Sequence, residues 1–215
     1  MCTSTKSRPA HILYHHEKKV MRMTKYMDYT ADSAQFSFDL NKSPLFKLNS
    51  QNLINVLGVQ HLNTLENSSL LDIFLSKGFY VEPHYHQNAS ELVYCISGEA
   101  RVTILNPFTR QLINEVITPG MVANVPQGWW HYEEALTDDT HLLAIFDAPT
   151  PEVILGSDIL ALTPANVMAE TYCIDEKMWK DVTAPIHPGT YIGPACKAER
   201  PVSPSYYQPA PIRYV

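Results

Sequence analysis

Between residues 70 and 146 apolar and polar positions alternate in short runs, and Gly, Pro, Asn and Asp punctuate them every few residues. A period of two marks a strand with one buried face, and the punctuating residues supply the turns. The alternation predicts strands over 70–76, 91–96, 100–106, 112–118, 121–125, 129–135 and 141–146, with "SGEA" turning the chain between the second and third. After Asp147 the period lengthens. In "ALTPANVMAETY", Thr163 reads as a helix N-cap and Pro164 as the first helical residue, and "DEKMWKDV" reads as a second short helix. Seven of the sixteen prolines fall in residues 184–215, which excludes regular helix and interior strand there. The chain thus divides into a basic, aperiodic N-terminal arm (1–35), an all-β region (36–150), a helical extension (151–183) expected to cover an edge or end of the sheets, and an extended Pro-rich tail (184–215).

Composition narrows the class. The 215 residues are 45% hydrophobic and 18% charged, as in an ordinary globular protein with one domain and extensions. No apolar run approaches the roughly 20 residues of a membrane span, and the first 35 lack a secretory apolar core, so a cytoplasmic location is expected. Cys2, Cys95, Cys173 and Cys196 are too sparse and irregular for a disulfide scaffold or a thiolate zinc site, and free thiols are expected. A formal charge of -6 without clustered Lys and Arg argues against a nucleic-acid partner.

The segment "GFYVEPHYHQNASELVYCISG" carries the candidate chemistry. Alternate strand residues share a face, so His84 and His86 present two imidazoles side by side. Glu91 follows the "QNAS" turn and can face the same point from the next strand. His131 follows the Pro-x-Gly turn of "VPQGWWH" and is the candidate fourth ligand. Three His and one Glu leave two octahedral positions open, and the mixed donors suit Mn(II) or Fe(II), with Zn, Ni and Co also compatible.

On these residues the sequence resembles the cupin superfamily. Its first motif, G-x5-H-x-H-x3,4-E-x6-G, is met by Gly78, His84, His86, Glu91 and Gly98. The second, G-x5-P-x-G-x2-H-x3-N, is met by Gly120, Pro126, Gly128 and His131, with Ala135 in place of Asn. The resemblance implies a double-stranded β-helix, or jelly-roll barrel, around the metal. From about Leu45 to Tyr172 the chain looks like one barrel of the bacterial oxalate decarboxylases, through Phe146-Asp147, the S-D-x-L element at Ser157 and the Thr163-Pro164 helix start. That likeness implies manganese on His84, His86, Glu91 and His131, and a small organic acid as substrate. The family's substrate-gripping arginine is replaced by Val81, and the loop after Asp147 is shorter, with Glu152 as its one acid.

Glu152 is therefore a candidate general acid or base if its loop closes over the metal, and Glu133, sharing parity with His131, is a second. Val93 and Cys95 should point inward with Glu91, and Trp129 reads as packing. His15, His16, His61, His141 and His187 show no ligand spacing. Three readings follow: a metal-dependent decarboxylase, a dioxygenase, or a metal-loaded module without chemistry. Single-barrel cupins commonly pair, and a small β-barrel has exposed edges to cover, so a homodimer is expected.

Overall fold

The structure, a computed structural model, describes residues 27–197. Most of the expected arm (1–26) and the end of the expected tail (198–215) lie outside the described residues. In chain order the elements are β1 (Pro44–Lys47), β2 (Leu53–Leu57), β3 (Ser69–Leu75), β4 (Tyr80–Tyr85), β5 (Glu91–Ser97), β6 (Ala100–Asn106), β7 (Gln111–Ile117), β8 (Val122–Val125), β9 (His131–Ala135), β10 (Thr140–Phe146), β11 (Ile154–Leu155), α1 (Gly156–Leu162), α2 (Ala165–Tyr172), α3 (Glu176–Thr183) and β12 (Ile192–Gly193). They form two antiparallel sheets, β1-β2-β3-β10-β5-β8 and β11-β4-β9-β6-β7, with β12 also paired to β4.

The all-β jelly roll is present, but the two sheets do not close into one hydrogen-bonded barrel. Consecutive strands such as β4 and β5 step from one sheet to the other instead of pairing. Each sheet buries its apolar face against the other, so the core needs no continuous ladder. Ile54, Ile73, Val93, Cys95, Leu142 and Ala144 from the first sheet meet Val81, Val102, Ile104 and Ala135 from the second in one buried cluster.

Every strand read from alternation is present within two residues at either end. Strand β9 begins at His131 because Trp129 N–H still donates to the Pro126 carbonyl, closing a turn in which Gly128 takes φ +78°. Strands β1, β2 and β4 carried no clean alternation. Residue Pro83 interrupts β4 at a bulge, where Val81 faces Glu133 but His84 faces His131, so three residues on one strand span two on its partner. The extra residue turns both Val81 and His84 inward. Helix α1 went unread because it opens on the weak helix formers Gly156 and Ser157. Thr163 is its C-cap, and Pro164 the N-cap of α2, one position from the expected register. Asp175 caps α3 by accepting from Met178 N–H.

The free edge of β4 is covered by β11 at His84 and Tyr85 and by β12 at Val81 and Tyr80. Ile192 is fully buried, so this part of the Pro-rich segment belongs to the sheet. The Glu82 carboxylate, on the outer side of β4, accepts from Ser157 N–H and Oγ–H and from Tyr191 N–H at 2.8 Å each, fastening α1 and β12 to the strand that carries His84.

Leu142 is completely buried between the sheets. Leu142→Ala should lower unfolding free energy by about 3 kcal/mol, the transfer and cavity cost of a leucine deletion, measured as the shift of a urea denaturation midpoint.

Candidate metal centre

His84 and His131 sit directly opposite each other on β4 and β9, with ring centroids 4.1 Å apart. His86 lies just beyond β4, where its carbonyl accepts from Gly128 N–H, tying it to the turn that launches His131. Its ring is 5.0 Å from that of His84 and packs edge-on against Phe146 at 4.6 Å. Glu91 opens β5 in the other sheet, so its carboxylate reaches the imidazoles across the sandwich. One donor atom from each of the four residues lies within 4.8 Å of the others, and all four side chains are buried.

Three backbone carbonyls orient the imidazoles. His84 Nδ1–H donates to Glu82 O (2.6 Å), His86 Nδ1–H to Glu152 O (2.8 Å) and His131 Nδ1–H to Trp129 O (2.8 Å). A carbonyl accepts only, so each bond places a proton on Nδ1 and turns Nε2 toward the centre. His131 Nε2–H donates to Glu91 Oε2 at 2.7 Å, which makes His131 an imidazolium. His86 Nε2 lies 3.4 Å from the same oxygen, makes no hydrogen bond among the described residues and is buried.

Electrostatics follow from this crowding. Burial opposes charge on His131, but the adjoining Glu91 carboxylate outweighs it and raises the imidazole to about 9. Burial likewise opposes ionisation of Glu91, and the His131 and His86 imidazoles hold it well below the usual carboxylate range. His84 is pushed well below its ordinary value by burial and by the neighbouring His131 and His86, so it is neutral. An unmet buried lone pair on His86 costs about 1–3 kcal/mol. A cation at the focus of the four donors would satisfy it, and three imidazole nitrogens with one carboxylate oxygen fit a divalent first-row ion.

Glu133 extends inward from β9 beside this group. It is 1% exposed, its Oε1 is 3.7 Å from His131 Nε2, and neither oxygen has a hydrogen-bond partner among the described residues. Burial, then the Glu91 charge, pushes its carboxyl up to about 8, so it is protonated at neutral pH. Glu152 is placed differently. Its carboxylate is exposed and accepts from Gln87 Nε2 at 3.2 Å, while its backbone carbonyl holds His86. Val93 and Cys95 are fully buried, and Trp129 is half-buried with its ring edge toward Phe108.

A cavity of about 550 Å³ opens onto His84 and His86. Val81, at the position where the resemblance implies an arginine, forms part of its wall. So does His61, which no ligand spacing had singled out and which comes from the loop after β2. The carbonyl anchors and His61 had no local signal, because each depends on a contact far along the chain.

The cupin family profile matches residues 40–180, more than half of the chain, and the protein belongs to that family. Oxalate decarboxylase OxdC of Bacillus subtilis (strain 168) is 28% identical over 151 residues, covering 69% of this chain and 38% of the enzyme. Legumin B of Pisum sativum is 25% identical over 120 residues, covering 55% and 35% respectively. A solved structure of the Bacillus subtilis oxalate decarboxylase, from work on its Mn(II) centres, superposes with TM-score 0.64 at 24% identity, covering 79% of this chain and 43% of that one. The chain spans little more than a third of the length of the curated relatives named here.

An entering ion must displace the His131 proton. Calorimetric titration of metal-free protein with Mn(II) in buffers of different ionisation enthalpy should therefore show release of about one proton per ion at neutral pH. Apparent affinity should rise with pH until it levels near the His131 value of about 9.

Proposed function

We propose that this chain is a metal-dependent cupin enzyme that acts on an organic acid at a divalent ion, manganese or iron, held by His84, His86, Glu91 and His131. The observation that carries the reading is the set of three imidazoles whose Nε2 atoms are turned by main-chain carbonyls onto one carboxylate, with His86 Nε2 left unpaired. A divalent ion there supplies Lewis-acid polarisation of a bound oxygen. The chain supplies the rest. Glu133, protonated and enclosed beside His131, is the group placed to give and recover a proton. Glu152 would serve only after its loop carries the carboxylate inward, since its side chain now engages Gln87. Aliphatic side chains of Ile54, Val81 and Leu155 share the cavity lining with His84 and His86.

Decarboxylation is the reading favoured by likeness to oxalate decarboxylase; dioxygen chemistry at the open metal positions is its rival. A module that binds metal without turnover has its own support in Val81, which stands in the cavity wall where the resemblance implies a substrate-gripping arginine. Free thiols at Cys95, Cys173 and Cys196 fit a reducing, cytoplasmic setting. Among the described residues no helix is long and apolar enough to cross a membrane. A homodimer is supported by the outer face of the first sheet, where Leu92, Tyr94, Ile96, Val122 and Ile145 are all more than a third exposed.

Elemental analysis followed by assays on organic acids, with and without dioxygen, tests the reading. Carbon dioxide with formate from oxalate identifies the decarboxylase, oxygen uptake the dioxygenase, and metal without turnover the module. His84→Ala should abolish metal uptake, whereas Glu133→Gln should retain metal and lose about a hundredfold in kcat. Sedimentation velocity of the full chain should show a dimer, and a monomer at all concentrations would remove that part of the proposal.

A further inference from the structure

The cavity that reaches His84 and His86 has a composition that selects among organic acids. Its buried end is formed by those two imidazoles with Ile54, Val81 and Leu155. Leu45, Val56, Leu71, Val153 and Tyr191 continue the wall outward, all partly buried. Of the other polar side chains in the lining, Ser43 is buried with its hydroxyl donating to Leu40 O at 3.1 Å, Gln60 accepts from Thr150 Oγ1–H at 3.3 Å, and His61 Nδ1 accepts from Gly58 N–H at 3.3 Å. Among the described residues Lys42 is the one Lys or Arg in the lining. Its side chain is 75% exposed, 3.5 Å from Asp39.

A compact dianion such as oxalate would fit this space poorly. Two carboxylates need two sets of cationic or hydrogen-bonding partners, and stripping water from an unpaired carboxylate is costly. The inner end offers one focus for negative charge, the four-donor centre, and the buried side chains that share the lining with His84 and His86 there, Ile54, Val81 and Leu155, are hydrocarbon. A volume of about 550 Å³ lies in the ordinary range for sites that enclose an organic molecule with an apolar body and few polar points. Oxalate would leave most of it filled with poorly bonded water.

We infer that the site takes a monocarboxylate with an extended apolar body, its acid group at the four-donor centre and its hydrocarbon along Ile54, Val56, Leu71, Val81 and Leu155, in preference to a short dicarboxylate. The inference rests on the proposed metal site for the acid group and on the cavity wall for the body. The two parts can be separated experimentally.

The test is a calorimetric binding series of acetate, butyrate, hexanoate, octanoate and oxalate on full-length protein, both loaded with Mn(II) and metal-free. Metal content is measured on the same samples by elemental analysis and by the Mn(II) electron paramagnetic resonance signal. Affinity should rise roughly tenfold for each pair of added methylenes, as hydrocarbon burial requires, and octanoate should bind tighter than oxalate. The slope should persist in metal-free protein at lower overall affinity. A flat series, or oxalate as the tightest ligand in metal-loaded protein, overturns the inference while leaving the metal reading intact. Failure to take up Mn(II), with the chain-length slope retained, sinks the metal reading and leaves the assignment of the apolar wall standing.

Two variants sharpen the result. Val81→Arg should weaken octanoate at least tenfold and tighten oxalate by a similar factor, by setting a guanidinium beside the acid group. Because Val81 is buried, Val153→Asp on the partly buried loop provides a second, milder probe, expected to halve the chain-length slope with metal content unchanged. An unaltered slope in Val153→Asp protein would place the hydrocarbon elsewhere and overturn the inference.

Discussion

A single carboxylate, shut away from water among three imidazoles, sets the terms for the rest of this molecule. Charge in a low-dielectric interior persists only when it is compensated and hydrogen-bonded. Glu91 meets that condition through His131, protonated and 2.7 Å away, but the compensation is incomplete, since among the described residues His86 Nε2 has no partner and Glu133 stays protonated for want of one. The centre is therefore built for an additional positive charge. The surrounding architecture works to hold this arrangement rigid. Strands β4 and β9 lie side by side so that His84 and His131 face each other, β5 reaches over from the opposite sheet, and Glu82 fastens α1 and the C-terminal segment to the back of β4.

The positions of the ligands could be read from the chain because their signals are local. His84 and His86 announce themselves by a spacing of two, and Glu91 and His131 by fixed offsets from Gly78, Gly98, Pro126 and Gly128. Those glycines adopt φ near +75° in the structure, a conformation that side chains with a Cβ resist. At Gly98 an added Cβ would also fall 2.7 Å from the backbone of Thr140. The alternating strands were equally visible, and β5, β8, β9 and β10 each turn one face into the core.

What escaped the reading is non-local or irregular. Strand β4 has two buried neighbours, Val81 and Glu82, because the bulge at Pro83 breaks the period that alternation relies on. Glu91 looked like a neighbour in an adjoining strand, yet it comes from the other sheet, and only the crossing of the chain between layers reveals that. Helix α1 hides behind the weak helix formers Gly156 and Ser157; the missing side chain of Gly156 lets the backbone sit against Pro83 and Trp130, and a Cβ there would meet the Pro83 carbonyl at 2.9 Å. The isolation of Glu133 depends on what fails to approach it, which no motif encodes. The continuous barrel expected from the family likeness gave way to two separate sheets because facing layers already seal the core.

The three anchors that aim the imidazoles are main-chain atoms, at Glu82, Trp129 and Glu152. Amino-acid replacement at those positions alters the side chain and spares the carbonyl. Orientation of the ligands is thus insulated from point substitution and exposed instead to insertions and deletions that shift the loops. Side chains of the cavity wall can be exchanged under such an arrangement without disturbing the atoms that aim the inner constellation, a separation of roles written into the backbone.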